Sequence, residues 1–448
     1  MTAQYHTIIL GGGNAGFGVS SVLKEAGKSM AIVEQAEFGG TCPNRGCTPK
    51  KILVEAAGCL DMIRRAEAHG IEVSAPVIHW EKLIARKDEM IGFIPDAMHK
   101  LADNRATVYR GQARFTGPNQ ITVGDDVLEA ENIVIATGSK TRPLPIPGAE
   151  HLLTSDDVLT LRELPDSVVF VGGGVIAMEF SHVYARAGVK VTILEAMPQL
   201  LPRLDSDAVQ VLHDETEKLG VTIHTAVQVQ QIRQTDTGMV VDCMIDDTHH
   251  TFMASHVVNG TGRVANVDGL DLHTAGITVD RGHIETDAYL RTVDNPAVWL
   301  AGDAIARAPQ LSPVATQEGR LVGQNILKAM SQATDYRVIP TSVFTLPTLS
   351  SVGLTEQEAT AQGLQVKVQQ VEMGDWFSSR SHVESRAWAK VIIDEAADAF
   401  VGVHIVGHKG EELINMFAMA MRHNITATHF KADLLAYPTF GADIKNWW

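Results

Sequence analysis

A likeness between two parts of the chain restricts its fold more than any other feature. Gly11–Glu34 aligns without gaps on Gly172–Glu195, and nine of the 24 positions are identical. Each copy follows an apolar run, Ile8-Ile9-Leu10 or Val168-Val169-Phe170-Val171, and passes through a glycine turn into a helical stretch. Each helix closes at an Ala-Gly pair, and a second apolar run then ends on an acid, Glu34 or Glu195. Strand, glycine turn, helix and a strand ending in a carboxylate form the pattern of a βαβ dinucleotide fold. The first glycine permits the tight turn, the second lets the backbone approach a diphosphate, and the third position must be small so that helix and strand can touch. Those positions are Gly11, Gly13 and Gly16 in one copy and Gly172, Gly174 and Ala177 in the other. The diphosphate would rest on the helix N-terminus, where free N–H groups and the dipole favour negative charge. Glu34 and Glu195 would each accept hydrogen bonds from a ribose diol. One such turn is weak evidence; two in full context predict two nucleotide-binding folds.

The rest of the chain fits around these copies. After the first, the strand-like run Glu131–Ile135 enters the small-residue turn Ala136-Thr137-Gly138-Ser139, and Pro143, Pro145 and Pro147 follow as a domain exit. A similar exit, Val257–Arg263, follows the second copy. The second nucleotide domain is therefore expected as an insertion over 144–262, with the first domain spanning 1–143 and returning over 263–338. That return includes Val298–Asp303, another strand ending in Gly-Asp. Beyond Pro340 come short β-rich runs such as Ala389–Ile393 and Phe400–Val406, with a helical stretch over Glu411–Arg422. They predict a third, α+β domain over 339–448. The fold class is α/β: two Rossmann-like domains and a C-terminal α+β domain.

With 448 residues, 45% hydrophobic, the chain can bury a large core, and a formal charge of −16 argues against nucleic acid or an anionic membrane as its main partner. The N-terminal residues read as a first strand rather than a secretory signal, and no run approaches the roughly 20 apolar residues of a membrane span. A cytoplasmic location is expected. Of four cysteines, Cys42 and Cys47 share the run Gly39-Gly40-Thr41-Cys42-Pro43-Asn44-Arg45-Gly46-Cys47-Thr48-Pro49-Lys50-Lys51. In a reducing cytosol a close pair is more often catalytic or metal-binding than structural, and zinc would need further ligands that are not evident. No metal site is expected. Cys59 and Cys243 lie on apolar patterns and are expected to be buried.

Together these residues resemble the flavin-dependent pyridine-nucleotide disulfide oxidoreductases, the class I group that includes glutathione reductase, dihydrolipoamide dehydrogenase and mercuric reductase. The resemblance rests on both glycine loops, the cysteine run, Ala136-Thr137-Gly138, Thr261-Gly262-Arg263, Ala301-Gly302-Asp303 and Val352-Gly353-Leu354-Thr355-Glu356. It implies FAD on the first domain through Gly11, Gly13, Gly16, Glu34 and Thr41, with Thr137 and Gly138 at the site. Gly111 and Ala113 would pass near the adenine, and Asp303 near the ribityl chain. Lys50 and Glu179 match a lysine-glutamate pair beside the flavin. Pyridine nucleotide would bind Gly172, Gly174, Ala177 and Glu195, with Gly262 nearby. Glu195 suits a ribose hydroxyl and would repel a 2′-phosphate, and Ala196–Gln199 contains no arginine, so NADH is expected rather than NADPH. Val175 stands where many relatives place a gating tyrosine. Electrons would pass from NADH through FAD to a Cys42–Cys47 disulfide and on to a small-molecule or protein-bound disulfide. Cys47 would be the flavin-side sulfur and Cys42 the interchange thiol. A homodimer is also implied, through His404, Gly407, Glu412 and Ile414 of the third domain.

One stretch departs from that pattern. Where thiol reductases of the group carry His-Pro-Thr-x-x-Glu, this chain has Tyr437-Pro438-Thr439-Phe440-Gly441-Ala442-Asp443. Tyrosine is a poor base at neutral pH but can donate a hydrogen bond or pack at an interface. Two other readings therefore stand beside the disulfide reductase: a metal-ion reductase like mercuric reductase, which also has a tyrosine there, and a redox-sensing flavoprotein of low turnover. The first is weakened because no cysteine follows Cys243. The terminal Trp447-Trp448 could cap the interface or cover a pocket.

Overall fold

The computed structural model describes residues 2–448. The chain divides into two compact units, one of Met1–Lys50, Ile84–Arg142 and Arg263–Asp335, the other of Lys51–Leu83, Pro143–Gly262 and Tyr336–Trp448.

In the first unit the strands Thr107–Arg110, Met30–Glu34, Thr2–Leu10 and Asp126–Ile135 lie side by side in parallel, and Val298–Leu300 pairs with the end of Asp126–Ile135. Ile8, Ile9 and Leu10 are at most 1% exposed, the continuous apolar run of a strand buried on both faces. Gln120–Val123 and Ala113–Gly117 extend the sheet antiparallel. The helix Asn14–Glu25 connects the first two strands and packs along Ser312–Lys328 at glycine positions. A Cβ on Gly18 would lie 2.5 Å from Thr316 O, and one on Gly319 would lie 2.1 Å from Ala15 O. Only residues without side chains allow two helices this close.

Ser139–Thr141 and Arg263–Ala265 pair antiparallel, and the Arg263 guanidinium donates to Ser139 Oγ at 2.9 Å and Ser139 O at 2.6 Å. The chain thus leaves the first unit before Pro143 and returns at Arg263 beside the strand it left, a second excursion besides that of Lys51–Leu83.

The second unit contains the inserted parallel sheet, ordered Thr222–His224, Lys190–Leu194, Ser167–Val171, His256–Asn259. A three-stranded antiparallel sheet, Gln228–Thr235, Gly238–Ile245 and Thr248–Ala254, packs beside it. The third layer is a five-stranded antiparallel sheet in the order Thr341–Val343, Leu349–Gly353, Ala399–Val406, Trp388–Asp394, Val366–Glu372, covered by the helix Gly410–Arg422. Its core includes Phe400, Phe417 and Phe430, and Trp447 stacks on Phe417 with centroids 5.6 Å apart. Trp447 is fully buried there, while Trp448 packs edge-on against Phe400 and borders a groove with Lys367, Glu395 and Lys431.

Lys51–Leu83 belongs to this second unit, tied in by Asp61 to Arg186 at 3.3 Å and by Trp80 Nε1 to Leu161 O at 2.9 Å. Within it, Cys59 is exposed and not buried as expected, whereas Cys243 is buried. The helix Cys47–Arg65 buries Leu53, Val54 and Ala57 on one face, and Cys59, two residues past Ala57, points to the other. No helix among the described residues is long and apolar enough to cross a membrane.

Candidate active site

The first glycine loop is a cradle. Gly11 has φ +117°, and a Cβ there would lie 2.2 Å from Ala136 O; one on Gly16 would lie 2.1 Å from Gly11 O. Gly13 precedes the helix Asn14–Glu25 without a side-chain cap, and that helix has no acid in its first turn, so its end is free to meet an anion. Glu34 accepts from the N–H groups of Gly12 and Ala36, both at 2.8 Å, which fixes its carboxylate at the edge of the loop. Gly111 donates to Glu34 O at 3.0 Å, and Ala113 is buried two residues on. Thr137 Oγ1 and Asn44 Oδ1 are buried with no protein partner, the arrangement expected where a bound molecule supplies one. Asp303 Oδ2 accepts from Ser139 Oγ at 2.9 Å; burial raises its carboxyl above the usual range, opposed by Ser139 and Arg263. These residues fit a dinucleotide lying across the strand ends, Gly138 and Thr41 included.

The cysteines share this unit. Cys42 sits in the short helix Thr41–Arg45 and Cys47 begins the helix Cys47–Arg65; both are free thiols. Gly46 lets the chain fold back between them, because a Cβ there would lie 2.9 Å from Thr41 O and 3.2 Å from Cys42 Cα. The pair is electrically asymmetric. A hydrogen bond from Cys42, helped by Ser312 and Lys50 against the opposing effect of burial, brings Cys47 down to about 6. Cys42, the donor, moves up, by that bond and by burial. Cys47 is thus a thiolate at neutral pH, and Cys42 holds a proton that must leave before it can attack.

Ser312 escaped the sequence reading. Its Oγ is 3.7 Å from Cys47 Sγ, within reach of an O–H···S contact. It opens the helix Ser312–Lys328, whose glycine-lined crossing with Asn14–Glu25 sets where that N-terminus falls. The signal was Leu311-Ser312-Pro313, a helix start with proline in its first turn, but nothing local tied it to a cysteine 265 residues away.

The second glycine loop repeats the first bond for bond. Gly173 donates to Glu195 Oε2 at 2.5 Å and Met197 to Glu195 Oε1 at 2.7 Å. Gly172 has φ +99°, a Cβ on it would collide with Gly260, and Gly174 stands uncapped before the helix Val175–Arg186. Ala177 is fully buried, Val175 is 47% exposed, and Gly262 has φ +100° at the exit turn. Glu179 is 5% exposed and accepts from Phe344 N–H at 2.8 Å. Lys50 lies in the first unit, one turn after Cys47, and donates its backbone N–H to Gly46 O at 3.0 Å.

At the far end of the chain, Tyr437 is 83% exposed. Asp443 does not serve it: Asp443 Oδ2 is 2.8 Å from His408 Nε2, and His408 is fully buried between Ser379 and the rings of Phe440 and Trp376.

Comparison with known proteins adds a consistent picture. The family model "Pyridine nucleotide-disulphide oxidoreductase" matches residues 5–319, and that family's dimerisation domain matches 339–447. A dihydrolipoyl dehydrogenase of Chlorobaculum tepidum is 29% identical, over 100% of this chain and 97% of its own. A glutathione reductase of Burkholderia cepacia is 31% identical, over 98% and 97%. Among solved structures, the Cu(II) complex of the HOCl-induced flavoprotein disulfide reductase RclA from Escherichia coli superposes with a TM-score of 0.88 at 28% identity, covering 100% of this chain and 99% of that one.

Proposed function

Because this chain belongs to the pyridine nucleotide-disulphide oxidoreductase family, we propose that it carries electrons from NADH through FAD to the Cys42–Cys47 disulfide and on to a disulfide or related sulfur substrate. FAD, when bound, supplies the relay that accepts two electrons from the nicotinamide and passes them to sulfur. The observation that carries the reading is the placing of two free thiols, Cys42 and Cys47, on either side of the Gly46 turn, with Ser312 Oγ 3.7 Å from Cys47 Sγ at the start of its helix. Two electrons and one proton open the disulfide to the Cys47 thiolate and the Cys42 thiol; Cys42, once deprotonated, attacks one sulfur of the substrate, breaking its S–S bond and expelling the first thiolate, and the resulting mixed disulfide is released when Cys47 attacks Cys42. The second substrate thiol leaves as that Cys42–Cys47 bond re-forms.

NADH is favoured over NADPH because the Glu195 carboxylate, held by Gly173 and Met197 at the end of its strand, would repel a 2′-phosphate, and Ala196–Gln199, which follow it directly, contain no cation to neutralise one. The dimerisation domain supports a homodimer. In that dimer Tyr437 of one protomer would meet Cys42 of its partner and take part in moving its proton. Lys50 and Glu179 are assigned to the flavin side of the site.

Anaerobic titration with NADH tests the central claim. Flavin absorbance should bleach and two thiols should become titratable; bleaching without new thiols would sink it. A second reading, a redox sensor of low turnover, is favoured by the bond that commits Asp443 to His408 and leaves Tyr437 without a carboxylate from its own run. A panel of disulfides, quinones and Cu(II) on the wild type, Cys42→Ser and Tyr437→Phe separates the readings. Robust turnover that Cys42→Ser abolishes excludes the sensor, and metal reduction that survives Cys42→Ser excludes the dithiol as its route.

A further inference from the structure

Lys390 lies on the strand Trp388–Asp394, in the C-terminal sheet, and belongs to none of the elements assigned to a cofactor. Its side chain is 2% exposed, yet it faces three carboxylates: Asp205 at 3.1 Å, Asp207 at 2.7 Å and Glu356 at 2.8 Å. Burial alone would favour a neutral amine; the carboxylates more than reverse that, and the ammonium is held above its ordinary value. A buried charge so fully surrounded is expensive to dismantle, so the elements it joins are held firmly.

What it joins is the end of a loop. Residues 196–204 leave Glu195 and arrive at Asp205, which is 1% exposed. One oxygen of Asp205 caps the helix Ser206–Lys218, accepting from Asp207 N–H at 3.1 Å and Ala208 N–H at 3.3 Å, and the other meets Lys390. In between, the loop folds over the nucleotide turn: Leu201 donates to Gly173 O at 3.0 Å, and Leu200 is buried so close to Gly173 that a Cβ there would lie 2.4 Å from it. Leu201 has φ +46°, a left-handed conformation that a branched side chain adopts only under constraint. A strained segment of this kind needs fixed ends. Glu195 fixes one, through Met197 N–H, and Asp205 on Lys390 fixes the other.

We infer that Lys390 is a positioning residue for the pyridine nucleotide, clamping Asp205 so that loop 196–204 presses the glycine turn and Glu195 into the register that ribose and diphosphate require. The inference rests on the reading that the second glycine loop binds the nicotinamide dinucleotide.

The test uses the full-length holoenzyme with Lys390→Met and Asp205→Asn. Asparagine caps a helix as well as aspartate does, so Asp205→Asn keeps the helix start and removes only the negative charge that Asp205 presents to Lys390; it decides the matter if Lys390→Met does not fold. Binding of ADP-ribose is measured by calorimetry, and NADH kinetics with 5,5′-dithiobis(2-nitrobenzoate) as acceptor. Both the dissociation constant for ADP-ribose and KM for NADH should rise about tenfold while kcat at saturating NADH stays within about twofold. A merely structural role would lower the melting temperature and leave that split absent. Folded, flavin-loaded variants that bind ADP-ribose as tightly as the wild type overturn the inference alone. A wild type that does not bind ADP-ribose overturns the nucleotide reading, and the inference with it.

Discussion

The two glycine loops share a backbone and differ in what their helices carry. Gly12 with Glu34 and Ala36 matches Gly173 with Glu195 and Met197, atom for atom. Behind the turn the copies diverge. Gly18 in the first helix aligns with Glu179 in the second. At the first position the side chain is removed so that Ser312–Lys328 can lie against Asn14–Glu25, which brings Ser312 to Cys47. At the second a buried carboxylate is retained and satisfied by Phe344 N–H. One fold thus serves two ends: in the first copy the helix positions its neighbours, and in the second it carries a buried carboxylate of its own.

Exchanging these residues is the strongest way to break the comparison. Gly18→Glu should cost more than about 3 kcal/mol, because it forces a charged side chain into backbone contact with Thr316. Little soluble, flavin-loaded protein should be recovered. The reverse exchange, Glu179→Gly, should cost less, about 1.5 to 3 kcal/mol from the hydrogen bond that Phe344 N–H loses and a helix-interior glycine. Urea unfolding monitored by circular dichroism measures both, and equal losses would contradict the division of roles. Glu179→Gln sharpens the point, since its amide oxygen still accepts from Phe344. It should stay within about 1 kcal/mol of the wild type in stability, so any larger loss of flavin reduction by NADH reports the charge alone.

A smaller effect separates the sulfurs. In the chemically reduced protein, iodoacetamide labelling of Cys47 should be half-maximal near pH 6, falling below that as the thiolate is protonated and levelling off above it. Ser312→Ala removes a donor to that thiolate, so the midpoint should move up by about one unit; Ser312→Thr, which keeps the hydroxyl, should not shift it. Labelling that is the same in Ser312→Ala as in the wild type would show that the crossing of the two glycine-lined helices does not serve the dithiol.

What the sequence made legible follows from how local each signal is. The duplication and the place of both glutamates beside their glycine turns could be read because each is a short run whose geometry depends on its own neighbours in the chain. Ser312, Lys390 and the Asp443–His408 bond could not be read, because each becomes meaningful only when distant segments are packed. Cys59 was misjudged for a related reason: an apolar neighbourhood does not reveal which face of a helix is covered until Leu53, Val54 and Ala57 define it.

The narrow stem formed by Ser139–Thr141 and Arg263–Ala265 has an evolutionary consequence. A segment whose two ends meet at one hydrogen-bonded pair of strands can be exchanged as a cassette without cutting the sheet that receives it. On the function proposed above, preference for one nicotinamide donor over another could therefore change by recombination while the sulfur chemistry of the recipient stayed intact. Among the contacts that a graft must reproduce, an incoming cassette has to bring a carboxylate to the place of Asp205, or Lys390 would be left with part of its compensating charge missing.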